Sequence, residues 1–315
     1  MKRNLLFLAS LAGGLLIALL VLLYEPTEAF HPDALRLVCL MPPEKEYYWG
    51  KVREGLINAG KDFNCQLRIA SYDRYDVKTH VSLLKECHYY HVDGIITIGE
   101  PSSKELCEEI ATFTRKGIPV ALMDTDAPAS NRSFYIGTDN FKAGQEAATQ
   151  LLSYTGGDTK AGVIITGIDN ANQRERLEGF TSALEEGGGE LLFVYENQSD
   201  KTALGAYLGK ALDENEGLNA LFDAEASTTS FLGLFLTERG KGRPLYTIGF
   251  DEVAPTAQMV AEGVLSATFI QQGRQMGYEA VKTLLSYIED PAKEPTQIYT
   301  QAVLADAENV LEESQ

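Results

Sequence analysis

Acidic side chains follow five of the apolar, strand-like segments of this chain. They stand in the stretches Met41-Pro-Pro-Glu-Lys-Glu, Ile98-Gly-Glu, Met123-Asp-Thr-Asp, Phe222-Asp-Ala-Glu and Gly249-Phe-Asp-Glu. The carboxyl ends of parallel strands are where an α/β sheet collects its ligand-binding groups. Each carboxylate taken alone could equally cap the N-terminus of the helix that follows it. Their repetition in both halves of the chain favours a ligand site at which carboxylates accept hydrogen bonds.

The sequence lacks the common motifs of covalent and phosphate chemistry. It contains no GxSxG elbow, no P-loop and no HExxH. Its glycine clusters at 156–157 and 187–189 lie between a helical and a strand-like pattern, which is typical of turns. Paired carboxylates could support acid–base catalysis, but no nucleophile stands beside them. We therefore predict a binding protein that is not an enzyme and uses no cofactor.

The composition is that of an acidic globular protein. The 315 residues include 27 Lys+Arg against 45 Asp+Glu, for a net charge of −18, and 44% are apolar. The length suits two domains of about 100–200 residues each. Because such a body cannot neutralise phosphates, nucleic acids and anionic membrane surfaces are excluded as partners.

The N-terminus has the pattern of an export segment. Lys2 and Arg3 precede an uncharged, largely apolar run over 5–23. This run approaches the roughly 20 residues that cross a bilayer, while Thr27-Glu28-Ala29 offers only a weak cleavage site. We predict that residues 1–29 form a signal peptide or a membrane anchor, with the anchor favoured. The body then lies outside the cytoplasm, in the cell envelope or periplasm.

Cysteines and histidines give weaker signals. Cys39, Cys65, Cys87 and Cys107 contain no CxxC pair, so we expect buried thiols or, in an exported protein, disulfides. Cys87 and Cys107 fall on predicted helices that share one face of a sheet, and they are the first pair to test. His80, Cys87, His88 and His91 share one predicted helix. We interpret that stripe as a solvated face rather than a metal site.

Strand-like and helical patterns alternate from residue 34 onward. Apolar runs of strand length occur at 35–41, 66–71, 94–98, 119–123 and 133–137, and again at 161–166, 191–195, 220–222 and 245–249. Amphipathic patterns separate them, including one opened by Asp76 as N-cap. Strands this continuously apolar have helices on both sheet faces. The sequence therefore predicts two doubly wound parallel-sheet α/β lobes.

Seven short motifs occur in order along residues 35–310. They are Tyr48-Trp49 with Arg53-Glu54-Gly55, Val92-Asp93-Gly94-Ile95-Ile96, Gly117-Ile118-Pro119-Val120, Thr138-Asp139-Asn140, Arg174-Glu175-Arg176-Leu177-Glu178-Gly179-Phe180, Ile248-Gly249-Phe250-Asp251 and Ala267-Thr268-Phe269-Ile270-Gln271. In this order they resemble the type I periplasmic binding proteins, most closely the ribose-binding-like branch of sugar ABC-transporter substrate-binding proteins. The resemblance implies a three-crossover hinge near Thr138, Gln271 and Ile298. The first lobe is then 34–138 plus 272–297, and the second is 139–271 plus 298–311.

The resemblance also implies a set of ligand-binding residues. Tyr48 and Trp49 occupy the places of two aromatic residues that sandwich a sugar ring, as aromatic faces can against C–H surfaces. Trp49 could instead be a core residue of the first helix. Asp124 and Asp251 match acceptors of sugar hydroxyls, and ionised acceptors make the stronger hydrogen bonds. Gln271 matches a polar contact beside the hinge.

Other ligand positions combine a match with departures from the family pattern. Arg174 matches an arginine that makes paired hydrogen bonds to sugar oxygens, and the alternative is a solvated surface role. We interpret Arg176 as a surface residue. Thr125 stands where the ribose-type pattern has arginine, and Glu46 and Glu225 stand where it has asparagine. The site thus loses one positive charge and gains two negative ones, which argues against ribose itself.

These features predict extracytoplasmic binding of a small sugar, polyol or amino sugar between two lobes of a monomer. The ligand would be delivered to the membrane permease of an ABC importer. The alternative is a sensing module that presents the ligand to a membrane receptor or histidine kinase. A sugar-responsive transcription regulator would share the fold but needs an N-terminal helix-turn-helix, where this chain has its apolar run.

Overall fold

A computed structural model describes residues 34–43, 47–71, 76–198, 200–239, 244–251 and 254–313. The predicted signal peptide or anchor at 1–29 lies outside these residues. In the described part of the chain, no helix is both long and apolar enough to cross a membrane. The residues from Leu35 onward form one structural unit.

Twelve strands of the described chain form two six-stranded sheets, as the alternating pattern predicted. The first sheet runs in the order β11 (Thr296–Thr300), β5 (Phe134–Thr138), β4 (Val120–Met123), β3 (Gly94–Thr97), β1 (Arg36–Met41) and β2 (Gln66–Ser71). The second runs in the order β12 (Ala302–Asp306), β10 (Ala267–Gln271), β9 (Tyr246–Phe250), β8 (Ala220–Asp223), β6 (Lys160–Ile165) and β7 (Glu190–Glu196). All neighbouring strands are parallel except β10 and β12. The prediction of two parallel-sheet α/β lobes is confirmed.

Helices cover the sheets, and five of the described helices begin at a short polar side chain that caps them. The described helices are α1 (Tyr47–Asp62), α2 (Val77–Glu86), α3 (Lys104–Arg115), α4 (Asn140–Thr155), α5 (Ala171–Glu186), α6 (Lys201–Glu214), α7 (Ala226–Arg239), α8 (Ala254–Ala261), α9 (Gly273–Glu289) and α10 (Val310–Glu313). Asp76 caps α2 by accepting from the backbone N–H of Thr79, as predicted, and Asn170 caps α5 in the same way. Apolar clusters on both faces of each sheet form the cores of the two lobes.

Within the described residues, the chain passes between the two sheets three times. Two passages lie at the ends of β5 and β10, where Thr138 and Gln271 were predicted as hinge residues. The third follows Thr300 rather than Ile298. The whole of β11 pairs with β5, with Thr300 opposite Thr138, and Ile298 packs against the first core. The predicted lobe boundary between residues 297 and 298 is therefore wrong, because it falls inside β11, and all of β11 belongs to the first sheet.

Close helix packing fixes the helices that reach the gap between the lobes. A Cβ on Gly55 of α1 would lie 2.0 Å from the carbonyl oxygen of Arg274 in α9. In the second lobe, a Cβ on Gly144 of α4 would lie 2.0 Å from the carbonyl oxygen of Arg176 in α5. Only glycine allows these two backbone approaches. The second approach holds Arg176 against α4.

All four cysteines are free thiols. Cys87 and Cys107 belong to one buried cluster of the first lobe, so the predicted shared face is confirmed. Their sulfurs contact the carbonyl oxygens of Leu83 and Glu100, and no disulfide joins them. Among the histidines of the predicted stripe, His80 is buried and hydrogen-bonded to Thr97 rather than solvated.

Candidate functional site

Two aspartates occupy equivalent positions in the two lobes. Asp124 follows β4 and Asp251 follows β9, the third strand of each sheet in the order given above. Both have left-handed backbone conformations, with φ of 69° and 61°. Residues other than glycine rarely adopt this conformation, and it carries strain. Strain at matching positions marks the two strand ends as a common site.

The carboxylate of Asp124 is held by three side-chain donors. Tyr48 Oη donates to Oδ1 at 2.9 Å, and Thr125 Oγ1 donates to Oδ2 at 2.9 Å. Asn172 Nδ2, which comes from the other lobe, lies 3.4 Å from Oδ2 and 3.3 Å from the Asp124 carbonyl oxygen. Burial raises the pKa of Asp124, and these donors together with Arg176 oppose that rise. Asn172 was missed by the sequence analysis, and it brings the lobes into contact at the site.

Arg176 is the buried cation of the site. Its Nε donates to Asn140 Oδ1 at 2.8 Å and its Nη1 donates to the carbonyl oxygen of Ala224 at 2.9 Å. The guanidinium lies 3.4 Å from the centre of the Phe250 ring, which is a cation–π distance. Burial lowers the pKa of Arg176, whereas the Asp251 and Asp124 carboxylates raise it. An arginine remains charged under these conditions.

The surface assignment of Arg176 in the sequence analysis was wrong. Only 5% of Arg176 is exposed, while Arg174 is partly exposed and donates to the carbonyl oxygen of Ile168. Residues two apart on a helix face different directions. The spacing of Gln173, Arg176 and Phe180, at i, i+3 and i+7, follows the buried face of α5 and is the signal that would have selected Arg176.

Asp251 is linked to the hinge through Gln271. Gln271 Nε2 donates to Asp251 Oδ1 at 2.7 Å, and Thr138 Oγ1 donates to Gln271 Oε1 at 2.6 Å. Burial raises the pKa of Asp251 to about 6, against the opposing effects of Arg176 and of the Gln271 hydrogen bond. The predicted hinge-side position of Gln271 therefore places it between a hinge strand and a site carboxylate.

The two predicted sugar-stacking aromatic residues have different surroundings. Trp49 is buried in the first core, with 7% exposure, in line with the alternative that it is a core residue. Tyr48 is only partly buried and meets the Trp49 ring edge-on, with centroids 5.0 Å apart. Its hydroxyl also lies 3.2 Å from Met276 Sδ. Tyr48 is thus the aromatic residue that reaches the site carboxylates.

Glu225 makes hydrogen bonds mainly at the start of its own helix. Its Oε1 accepts from the backbone N–H of Ser227 at 3.0 Å, and its Oε2 accepts from Ser227 Oγ at 2.7 Å and Thr228 Oγ1 at 3.1 Å. Its charge nevertheless raises the pKa of Asp251. Glu46 lies outside the described residues. The structure therefore brings together Tyr48, Asp124, Thr125, Asp251 and Gln271 of the predicted set, with Glu225 nearby.

The chemistry of this arrangement is reversible hydrogen bonding. Arg176 Nη2 has no acceptor, and Asp251 Oδ2 has no donor, among the described residues. A ligand with an oxygen acceptor and a hydroxyl or amine donor would satisfy both groups, which are costly to bury unpaired. In the described part of the chain, no group of three or more His, Cys, Asp or Glu side chains could hold a metal ion.

Comparison with known proteins identifies the class to which this fold and site belong. The family model of the periplasmic binding protein domain matches residues 38–293, so the chain belongs to that family. It is 28% identical over 153 residues to the transcriptional regulator DegA of Bacillus subtilis, covering 48% of this chain and 44% of DegA. It is 27% identical over 191 residues to the ribose import binding protein RbsB of Haemophilus influenzae, covering 60% of this chain and 64% of RbsB.

The chain thus spans less than two thirds of both relatives. A solved structure covers more of it. GanP, a glucose-galactose binding protein from Geobacillus stearothermophilus, has 27% identity and a TM-score of 0.80. That match covers 88% of this chain and 99% of GanP. The predicted resemblance to sugar-binding proteins of ABC transporters is confirmed at the level of the family.

Proposed function

We propose that this protein binds a small sugar or sugar-like molecule between its two lobes. The observation that carries the proposal is that Arg176 and Asp251 lie near enough for the charge of each to act on the pKa of the other, and near Tyr48, while Arg176 Nη2 and Asp251 Oδ2 have no partner among the described residues. A guanidinium donates hydrogen bonds to the oxygens of sugar hydroxyls, and a carboxylate accepts hydrogen bonds from their O–H groups. An aromatic ring packs against the C–H faces of a sugar. The names of RbsB and GanP, with ribose and with glucose and galactose, support this class of ligand.

The charge balance of the site favours a neutral or amine-bearing ligand. Asp124, Asp251 and Glu225 contribute three carboxylates, and the charge of each acts on the pKa of the buried Arg176. A ligand that brought a further negative charge would add repulsion in a poorly solvated space. Sugar phosphates and uronic acids should therefore bind more weakly than the matching neutral or amino sugar.

The protein acts outside the cytoplasm in this proposal and hands its ligand to the permease of an ABC importer. The apolar run at 5–23 supports export and, if it is not cleaved, tethering to the membrane. The full-length protein should then remain with membranes after carbonate extraction. A mature chain that begins at Phe30 in mass spectrometry would contradict the tether. The sensing alternative predicts that deleting the gene alters transcription of transport genes and leaves uptake by an existing permease intact.

The binding proposal is tested by thermal unfolding in the presence of a panel of sugars. Only ligands that bind the folded protein raise its melting temperature, by an amount that grows with concentration. The panel contains monosaccharides, disaccharides, polyols, amino sugars and sugar acids. Trp49, the only tryptophan of the chain, gives a second signal through its fluorescence because it contacts Tyr48. A panel that changes neither signal would overturn the proposal.

A further inference from the structure

The backbone carbonyl groups of the two left-handed aspartates are held in the same way. Tyr135 Oη donates to the carbonyl oxygen of Asp124 at 2.9 Å, and Thr268 Oγ1 donates to the carbonyl oxygen of Asp251 at 2.9 Å. The Asn172 amide also reaches the first carbonyl, at 3.3 Å, whereas Thr268 is the one donor to the second in the described part of the chain. Each aspartate thus has a hydroxyl bound to its own backbone.

The two hydroxyls come from equivalent positions of the two lobes. Tyr135 is the second residue of β5 and Thr268 is the second residue of β10, and each of these strands lies beside the strand that the aspartate follows. In the parallel ladders, each pairs with the residue two places before its aspartate, which is Leu122 in the first lobe and Gly249 in the second. The side chains differ in type, so the hydroxyl is the feature that the two positions share.

The first lobe also leaves room for its hydroxyl. Tyr135 and Gly137 are two residues apart on β5, so they face the same side of the sheet. A Cβ on Gly137 would lie 1.9 Å from Tyr135 Oη, and the glycine therefore allows the tyrosine to lie along the strand toward Asp124. Tyr135 is only 4% exposed and Thr268 has no exposed surface. Packing therefore holds both hydroxyls in one direction.

Backbone strain at the aspartates gives these hydrogen bonds a function. The left-handed conformation is unfavourable for residues other than glycine, and φ values of 69° and 61° persist only where the surroundings fix them. We propose that Tyr135 and Thr268 are positioning residues, which fix Asp124 and Asp251 in this conformation and so direct their carboxylates into the site. This inference rests on the proposed sugar-binding function and names the residues that prepare its two carboxylates. Because the strain and the hydrogen bond are of similar size, loss of the bond lets the aspartate relax.

The first test needs no sugar. Tyr135→Phe keeps the ring and Thr268→Val keeps the branched side chain, so each removes only the hydroxyl. In crystal structures of the full-length variants, Asp251 should leave its left-handed conformation in Thr268→Val. Asp124 should leave it in Tyr135→Phe and should lose the hydrogen bond from Tyr48. Aspartates that keep φ near 69° and 61° in these variants would overturn the inference, whether or not sugars bind.

The second test measures binding by calorimetry, with D-ribose, D-glucose, D-galactose and D-glucosamine as probes. For each probe that the native protein binds, Thr268→Val should raise Kd about tenfold. Tyr135→Phe should raise it about threefold, because the carbonyl group of Asp124 keeps its contact with Asn172. Thr268→Ser retains a hydroxyl and should bind like the native protein. An unchanged Kd in both Tyr135→Phe and Thr268→Val would overturn the inference and leave the sugar-binding function standing.

Tyr287→Phe is the matched control. Tyr287 is as buried as Tyr135, at 4% exposure, and its hydroxyl also donates to a backbone carbonyl oxygen, that of Glu294, at 2.8 Å. This variant should lower the melting temperature and leave Kd unchanged, whereas an equal loss of affinity would show a general structural effect and overturn the inference. If none of the four probes binds the native protein, the proposed function fails for these sugars, and the crystal structures decide the inference.

Discussion

Replacing Asp251 by asparagine should stabilise the ligand-free protein at neutral pH. Burial raises the pKa of Asp251 from 3.8 to about 6, which means that the folded state disfavours the ionised form. At about 1.4 kcal/mol per pH unit, this rise corresponds to roughly 3 kcal/mol of folding free energy. Asparagine resembles the protonated carboxyl and accepts the left-handed φ of 61° well.

The pH dependence follows from the direction of the shift. Below about pH 3 the carboxyl is protonated in both the folded and the unfolded protein, so it has almost no effect on stability. Between about pH 3 and pH 6 the unfolded chain loses its proton first, so the stability of the folded protein falls as the pH rises. The full penalty, at most about 3 kcal/mol, is present above pH 6. Asp251→Asn should therefore gain stability over the native protein with increasing pH.

The assay is denaturant unfolding at pH 4.5, 6.0 and 7.5 without ligand. Asp158→Asn, which changes an exposed aspartate, is the control and should match the native protein at each pH. Asp251→Asn should be about 1 kcal/mol more stable than the native protein at pH 4.5 and at most about 3 kcal/mol more stable at pH 7.5. A variant that is less stable than the native protein at pH 7.5, or a difference that does not change with pH, would refute this reasoning.

Three further changes probe the site. Arg176→Met should weaken sugar binding at least about 100-fold in calorimetry, because it removes a charge-assisted donor and the positive charge that opposes the raised pKa of Asp251, whereas Arg174→Met should stay within about threefold. Thr138→Val should raise the pH at which binding reaches half its maximum, because the Gln271 amide loses its fixed orientation and the pKa of Asp251 rises. Thr138→Ser keeps the hydroxyl and should retain the native pH profile. An equal loss of affinity in both variants would contradict this expectation. Glu225→Gln should cost an amino sugar about tenfold in affinity and its neutral counterpart little; unchanged affinity for both would argue against the acidic site.

The fold could be predicted because its determinants are local. Continuously apolar strands require helices on both sides, and polar residues such as Asp76 mark where helices begin. The third crossover was misplaced by a few residues because nothing local ends β11 at Ile298. The ladder of β11 with β5, which runs to Thr300, determines where that strand ends.

Candidate site residues could be predicted from sequence where their position at the end of a strand was enough to select them. Asp124 and Asp251 directly follow strands and Gln271 ends one, so their places along the chain marked them as candidates. The choice between Arg174 and Arg176 depends on which face of α5 is buried, which the spacing of Gln173, Arg176 and Phe180 indicates and which the packing against α4 confirms. Asn172 was missed, although its place in the second lobe matches that of Tyr48 in the first. Gly55 and Gly179 each lie against a carbonyl oxygen of the neighbouring helix, so they are equivalent positions. Tyr48 lies seven residues before the first of these glycines, and Asn172 lies seven residues before the second. An internal comparison of the two halves would have placed Asn172 beside the site.

The pairing of the Tyr48 hydroxyl with Asp124 could not be derived from sequence. Which donors reach one carboxylate oxygen depends on distances between residues far apart in the chain, here from α1 and the end of β4. The same holds for the contact of Asn172 with Asp124, which exists because the lobes close on each other. Identifying the donors that reach a given carboxylate oxygen therefore requires atomic coordinates.

A crystal structure of the protein with the sugar that most raises its melting temperature would show where the ligand binds. We expect a sugar between the lobes, with hydroxyls on Asp251 Oδ2 and Arg176 Nη2 and with a C–H face against Tyr48. A sugar bound elsewhere, or one between the lobes that contacts neither Asp251 nor Arg176, would contradict the proposed binding site.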